Sequence, residues 1–227
     1  LLSPRTRMVL VNAVYFKGAW EVPFNSSLTK DMTFNLGNGS SVYTPMMHGI
    51  ITARYAEWPN RQILELPYCG GRATMLIVLP GSTDEMSLAE ETISTSALEE
   101  WSRALRPEKV DVFLPRFKVT GEFNLGPTLK SMGIRDAFDP ELADFTGMSD
   151  SSPGLYLSEV VHKAMIEVTE EGTEAAAASG VIMTPTSILP KPMPVFRADR
   201  PFLFIIRDRL EGTILFMGRL SNPKGGS

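Results

Sequence analysis

Nucleophilic catalysis needs a nucleophile, a base and a group that orients the base. The sequence offers one thiol, Cys69, and two imidazoles, His48 and His162. A Cys–His dyad is conceivable, but Cys69 lies in the turn-like stretch Tyr68-Cys69-Gly70-Gly71 with no flanking catalytic motif. An ordinary free thiol accounts for it. Glu170-Glu171 sets two carboxylates side by side. Adjacent residues of a strand point to opposite faces, so the pair does not suit acid–base work on one substrate. The chain has no Gly-x-Ser-x-Gly elbow, no phosphate loop and no metal-site spacing of His and Cys. No catalytic residue, metal or cofactor is assigned, and the chain is not expected to be an enzyme.

The segment after those carboxylates is more informative. It reads EEGTEAAAASGVIMTPTSILP, and the 16 residues from Ala175 to Pro190 carry no charge. At period two, Thr173, Ala175, Ala177, Ser179, Val181 and Met183 share one face, all small or apolar. Glu174 falls on the other face and could stay in water. Gly172 supplies a hinge, because glycine tolerates the full backbone map. The alanines fit a short helix or a solvated linker as well as a strand.

Two polar residues stand out elsewhere. His162 interrupts the apolar run Val160-Val161-His162-Lys163-Ala164-Met165, and Asn12 interrupts Val9-Leu10-Val11-Asn12-Ala13-Val14. A buried imidazole must find a partner. The two could satisfy each other across a sheet, or each could be satisfied separately.

The elements that must position these residues are mostly strands. Met8 to Phe16 reads as a buried strand. Thr33 to Pro45 alternates around Asn38-Gly39, a strong hairpin signal. Strands are expected at Arg61 to Pro67, Ala73 to Pro80, Lys109 to Val119, Leu155 to Val168, Val195 to Arg197, Pro201 to Arg207 and Thr213 to Gly218. Ser87 to Leu105 has helical spacing, with Ser87 and Glu90 as a capping box. Asn124 to Met132 is a second helix, stopped by Gly133. The sum is a single α+β unit built on antiparallel sheets with few helices.

Composition narrows the classes. The 227 residues are 43% hydrophobic, enough for a sizeable core, with net charge −4 and both signs scattered. A nucleic-acid groove is not expected, nor a membrane span, since the dense apolar runs are strand-sized. One cysteine excludes an internal disulfide. Asn25-Ser26-Ser27 and Asn38-Gly39-Ser40 are glycosylation sequons, which lean towards an extracellular, secreted protein, with a cytoplasmic one as the alternative. The chain opens at Leu1-Leu2-Ser3-Pro4 with no initiator methionine or signal peptide, as the middle of a longer protein would.

Motifs along the chain resemble the serpin family over essentially its whole length. In order they are Val9-Leu10-Val11-Asn12-Ala13-Val14-Tyr15-Phe16-Lys17-Gly18-Ala19-Trp20, Leu64-Glu65-Leu66-Pro67-Tyr68, Leu114-Pro115-Arg116-Phe117 and His162-Lys163-Ala164. Glu171-Gly172-Thr173-Glu174-Ala175-Ala176-Ala177-Ala178-Ser179, Asp199-Arg200-Pro201-Phe202 and Leu215-Phe216-Met217-Gly218-Arg219 complete the series.

The resemblance implies a serpin-like fold and a serine protease inhibitor acting as a suicide substrate. Residues 170–196 would be the reactive-centre loop. The target protease cuts it, is trapped as an acyl-enzyme, and the loop enters the large sheet as a new strand. Residues Glu171, Gly172, Thr173, Glu174, Ala175, Ala176, Ala177, Ala178 and Ser179 match the hinge. Family spacing puts the scissile bond at Thr186-Ser187, with Met183-Thr184 and Ile188-Leu189 as alternatives. No Lys or Arg lies between Ala175 and Pro190, so the expected target is elastase- or chymotrypsin-like. The resemblance also pairs Asn12 with His162 where the sheet opens, and makes Trp20 the aromatic at its upper opening. A non-inhibitory carrier or chaperone of the same fold is the alternative. The resemblance leaves an N-terminal, largely helical portion, roughly the first two-fifths of a serpin, outside this chain, which is then one partial domain. Strand Met8 to Phe16 should carry a bare edge and an uncovered apolar face. The helix with which the family binds glycosaminoglycans falls in that portion, so this chain gives no reading of it.

Overall fold

A computed structural model of the chain describes residues 4, 6–148, 154–171 and 192–225. The described residues fall into two compact units, one from 1–16 and 120–166, the other from 17–119 and 167–226.

In the first unit, strand order is β1 (Met8–Phe16), β8 (Leu157–Val168), β7 (Phe117–Asn124). β1 and β8 run parallel, in a register that sets Asn12 opposite His162. β1 is not the buried strand that its apolar residues suggest: Val11 is 68% exposed and Leu10 53%. Pairing with β8 and β-branched side chains suffice to keep it extended. It lies at the edge of the three-stranded sheet, with much of its apolar surface in solvent. The helix expected from Asn124 is shorter, α3 (Gly126–Ser131). Asn124 stays outside it, and its side-chain oxygen accepts from the Gly126 N–H at 3.0 Å. Gly133, just beyond the helix, has φ +102°, the stop its sequence position implies.

The second unit carries an eight-stranded sheet. Its strands are β2 (Lys30–Asn35), β3 (Ser41–Trp58), β4 (Arg61–Pro67), β5 (Ala73–Pro80), β6 (Arg106–Pro115), β9 (Val195–Arg197), β10 (Phe202–Asp208) and β11 (Ile214–Leu220). Their order is β11-β10-β5-β4-β3-β6-β9, with β2 paired to β3. The β2–β3 hairpin turns at Asn38-Gly39, where Gly39 takes φ +80°. The sheets are mixed, not purely antiparallel, because β1–β8 and β6–β9 pair parallel. Both pairs join segments far apart in the chain, which leaves room for the long crossover that parallel pairing needs.

The predicted helix Ser87 to Leu105 is two helices, α1 (Met86–Glu91) and α2 (Thr95–Ala104). The break falls where the Ser94 hydroxyl accepts from the Ala97 N–H at 3.2 Å and starts a fresh helix. The capping contact also sits earlier than Ser87 and Glu90. The Glu85 carboxylate accepts from the Ser82 N–H at 3.3 Å. Both helices pack on one face of the sheet, where Met86, Ala89, Leu98 and Trp101 meet Ile63, Leu76, Val78, Leu203 and Ile205.

Trp101 is 4% exposed at the centre of that cluster. Trp101→Ala is expected to cost about 3–5 kcal/mol in urea unfolding. Leu210→Ala, at a site 82% exposed, should change stability by less than about 0.5 kcal/mol.

Candidate functional site at the base of the uncharged run

β8 runs out at Val168, and the next three residues are clamped through their backbone carbonyls. The Trp20 indole donates to the Thr169 carbonyl at 2.9 Å. The Phe24 N–H donates to the Glu170 carbonyl at 2.9 Å, and the Trp20 N–H to that of Glu171 at 3.1 Å. Trp20 is 3% exposed. Its ring stacks on Tyr68 at 4.4 Å, nearly parallel, so the indole cannot swing away without unstacking.

A buried carboxylate reinforces this clamp. Glu170 is 4% exposed, whereas Glu171 points to solvent. The Arg116 Nε donates to both Glu170 oxygens, at 2.7 and 2.6 Å. The terminal guanidinium nitrogen lies 2.5 Å from the same carboxylate, and the Thr29 hydroxyl donates to it as well. Burial pushes the Glu170 carboxyl up. The hydrogen bonds from Arg116 and Thr29, with the guanidinium charge, outweigh burial and hold it below the usual carboxylate range. Arg116 is free to do this because it breaks the expected strand Lys109 to Val119 in two, standing between β6 and β7.

Some of the residues expected to matter meet, and others do not. Asn12 and His162 do come together: the His162 Nδ1 and the Asn12 side-chain oxygen are 3.1 Å apart. Trp20 sits at the base of the run. Of the expected hinge residues, Glu171 is described, while Gly172 to Ser179 lie outside the described residues, as do Thr186 and Ser187. Asn25 and Asn38 are both exposed. Each accepts from the serine two residues on, through its N–H at 3.0 Å and through its hydroxyl. Cys69 is exposed, and its thiol donates to the Trp20 carbonyl at 3.3 Å. His48 bonds Asp111 at 2.7 Å, so neither imidazole is engaged with the thiol. Among the described residues no group of His, Cys, Asp and Glu could hold a metal ion, and no helix is long and apolar enough to cross a membrane.

Sequence reasoning gave no role to Arg116, Thr29 or Phe24. Arg116 offered one signal, a lone cation between two apolar strand segments, which in a sheet protein needs a buried anion or solvent.

Arg116→Met should strand the Glu170 carboxylate and cost about 1–3 kcal/mol in urea unfolding at pH 7. Adding Glu170→Leu should recover most of that loss, because both partners are then apolar. The folded-state carboxyl is depressed, so the wild-type contribution is complete above its ordinary unfolded value, about 4.3. It disappears as pH falls through the lower folded value. The gap between wild type and Arg116→Met should therefore close on acidification.

Comparison with known proteins gives this geometry a family. A family model described as Serpin (serine protease inhibitor) matches residues 1–223. An uncharacterized serpin-like protein of Thermococcus kodakarensis is 44% identical over 226 residues, covering 99% of this chain and 52% of that protein. Human Serpin B11 is 41% identical over 229 residues, covering 98% of this chain and 57% of its own length. Among solved structures, human thyroxine-binding globulin complexed with thyroxine superposes with a TM-score of 0.85 at 36% identity, over 99% of this chain and 58% of that one. The chain thus spans little more than half the length of these relatives. The match runs from one end of the chain to the other in both sequence and fold, and the chain belongs to the serpin family.

Proposed function

We propose that this chain is the loop-bearing part of a serine protease inhibitor, one partial serpin domain that acts as a suicide substrate. One observation carries the reading. The charge-free run leaves from a fixed foot at Thr169, Glu170 and Glu171 and returns to a fixed strand at Val195. A segment held at both ends, with residues 175–190 between them free of charge, presents a peptide bond to a protease. That stretch can also be buried later without burying charge.

The chemistry stems from that arrangement. The protease serine oxygen attacks the Thr186 carbonyl carbon, and an ester forms as the bond to the Ser187 nitrogen breaks. The Ser187 amine leaves with the proton that the protease base delivers. Cleavage frees the N-terminal half of the loop while its foot stays clamped. Thr173, Ala175, Ala177 and Ser179 then enter the sheet as one face of a new strand, with no void and no buried charge. Distortion of the tethered protease stops hydrolysis of the ester. The uncharged residues around Thr186 favour an elastase- or chymotrypsin-like target. Asn25 and Asn38 are exposed for glycosylation, which goes with an extracellular site of action, the cytoplasm being the alternative.

A carrier of the same fold is the second reading. One observation favours it: a cleft of about 520 Å³ beside α2 whose lining includes Arg54, Arg103, Arg207 and Arg209 together with Glu99 and Glu211. The Arg207 Nε is buried there without a hydrogen-bond partner among the described residues, and a related structure holds thyroxine.

The full-length protein, mixed with elastase or chymotrypsin, is expected to give a covalent complex that survives SDS, cut between Thr186 and Ser187. Thr173→Arg should turn inhibitor into substrate, since a charge would have to enter the sheet. Cleavage of wild type without a complex would favour the carrier, and unchanged inhibition by Thr173→Arg would refute insertion.

A further inference from the structure

β9, at the far end of the run, is a weak strand. It has three residues and, among the described residues, lies outermost in its sheet and pairs with β6 alone. Backbone bonds fasten its ends: the Asp111 N–H donates to the Pro194 carbonyl and the Ala198 N–H to the Phe113 carbonyl, both at 2.9 Å. Phe196 is fully buried, and the Arg197 guanidinium lies 3.9 Å over the Phe113 ring.

One further bond comes from an unexpected place. The Gln62 carboxamide nitrogen donates to the Val195 carbonyl at 3.2 Å. Gln62 belongs to β4, and β3 and β6 stand between β4 and β9 in the hydrogen-bonded order. The contact is therefore no by-product of neighbouring strands. The same nitrogen donates to the Tyr55 hydroxyl oxygen at 3.0 Å, and that hydroxyl donates to the Glu57 carboxylate at 3.0 Å. With its proton committed to Glu57, the Tyr55 oxygen offers Gln62 only a lone pair. That fixes which end of the carboxamide faces Val195. Burial first, then Glu57, pushes the Tyr55 hydroxyl well above the ordinary tyrosine range, so it stays protonated.

We propose that Gln62 is a positioning residue: held by Tyr55 and Glu57, it latches β9 and so keeps the C-terminal foot of the 170–196 loop in place until the loop is cut. A loop tethered at both feet cannot lie down in a sheet as a full strand. If β9 lets go first, an uncut loop can, and the inhibitor is spent without a protease. That consequence rests on the inhibitory reading; the latch itself does not.

The test is amide hydrogen exchange of residues 195–198 in the full-length protein, with Gln62→Leu and Gln62→Glu beside wild type. Gln62→Leu should speed exchange by about twofold to tenfold, the value of one hydrogen bond. Gln62→Glu should do the same at neutral pH, where a carboxylate faces the Val195 carbonyl and also the Glu57 carboxylate, which lies 3.5 Å from the Gln62 nitrogen. It should return towards wild type as pH falls through the carboxyl range, where the protonated acid donates again. A merely structural role would show no such recovery. Less acceleration in Gln62→Leu, or none of this recovery in Gln62→Glu, overturns the latch. Should Gln62→Leu fail to fold, the pH profile of Gln62→Glu carries the test. Faster exchange in a protein whose wild type traps no protease supports the latch and overturns only the inhibitory reading.

Discussion

A carboxylate buried like that of Glu170 is tolerated only with a cation and hydrogen-bond donors in place around it. Arg116 and Thr29 supply them. This one demand fixes much else. Arg116 must stand between two strands, not within one, so that its guanidinium reaches the end of β8. The segment from Trp20 to Thr29 must come alongside, which lets Trp20 and Phe24 bond the backbone of the same three residues. A charge just before the expected hinge is thereby locked in place, and the run from Ala175 to Pro190 carries none.

The two feet of the run differ in kind. The first is an ion pair backed by backbone bonds and a stacked indole. The second is a three-residue edge strand held by backbone bonds, a buried phenyl ring and the Gln62 side chain. On the proposed inhibitory reading, such an asymmetry suits a segment that must keep its N-terminal foot when cut and must not lose its C-terminal one beforehand. Among the described residues neither imidazole bonds a foot of the run directly, though His48 contacts the two β6 residues that hold β9. His162 meets Asn12 between β8 and β1, and His48 meets Asp111 while stacking on Phe113.

Much of the sheet was legible because its strands are short apolar runs bounded by glycine, proline or Asn-Gly. Arg61–Pro67, Ala73–Pro80 and Val195–Arg197 fall where those runs put them. The Asn12–His162 pair was legible as two polar interruptions in apolar strands. The parts that stayed hidden depended on contacts between distant segments. The helix break at Ser94 is an exception: Ile93 and Leu98, five residues apart, fall about 140° apart around a helix, a phase slip that the reading of one helix passed over. The break at Arg116 hid because a sequence does not say which anion a lone arginine will meet. β1 looked buried because its composition is that of a core strand, yet half or more of Leu10 and Val11 is exposed. Composition records what a strand can cover, not what covers it.

The central proposal is that residues 172–190 enter the sheet as a strand once the chain is cut. Its most direct test is the unfolding midpoint of the full-length protein before and after a single cleavage between residues 170 and 196, made by any protease that does not remain bound. Insertion adds a paired strand to the sheet, so the cut protein is expected to melt at a higher temperature than the intact one. A midpoint that stays the same or falls would contradict the account.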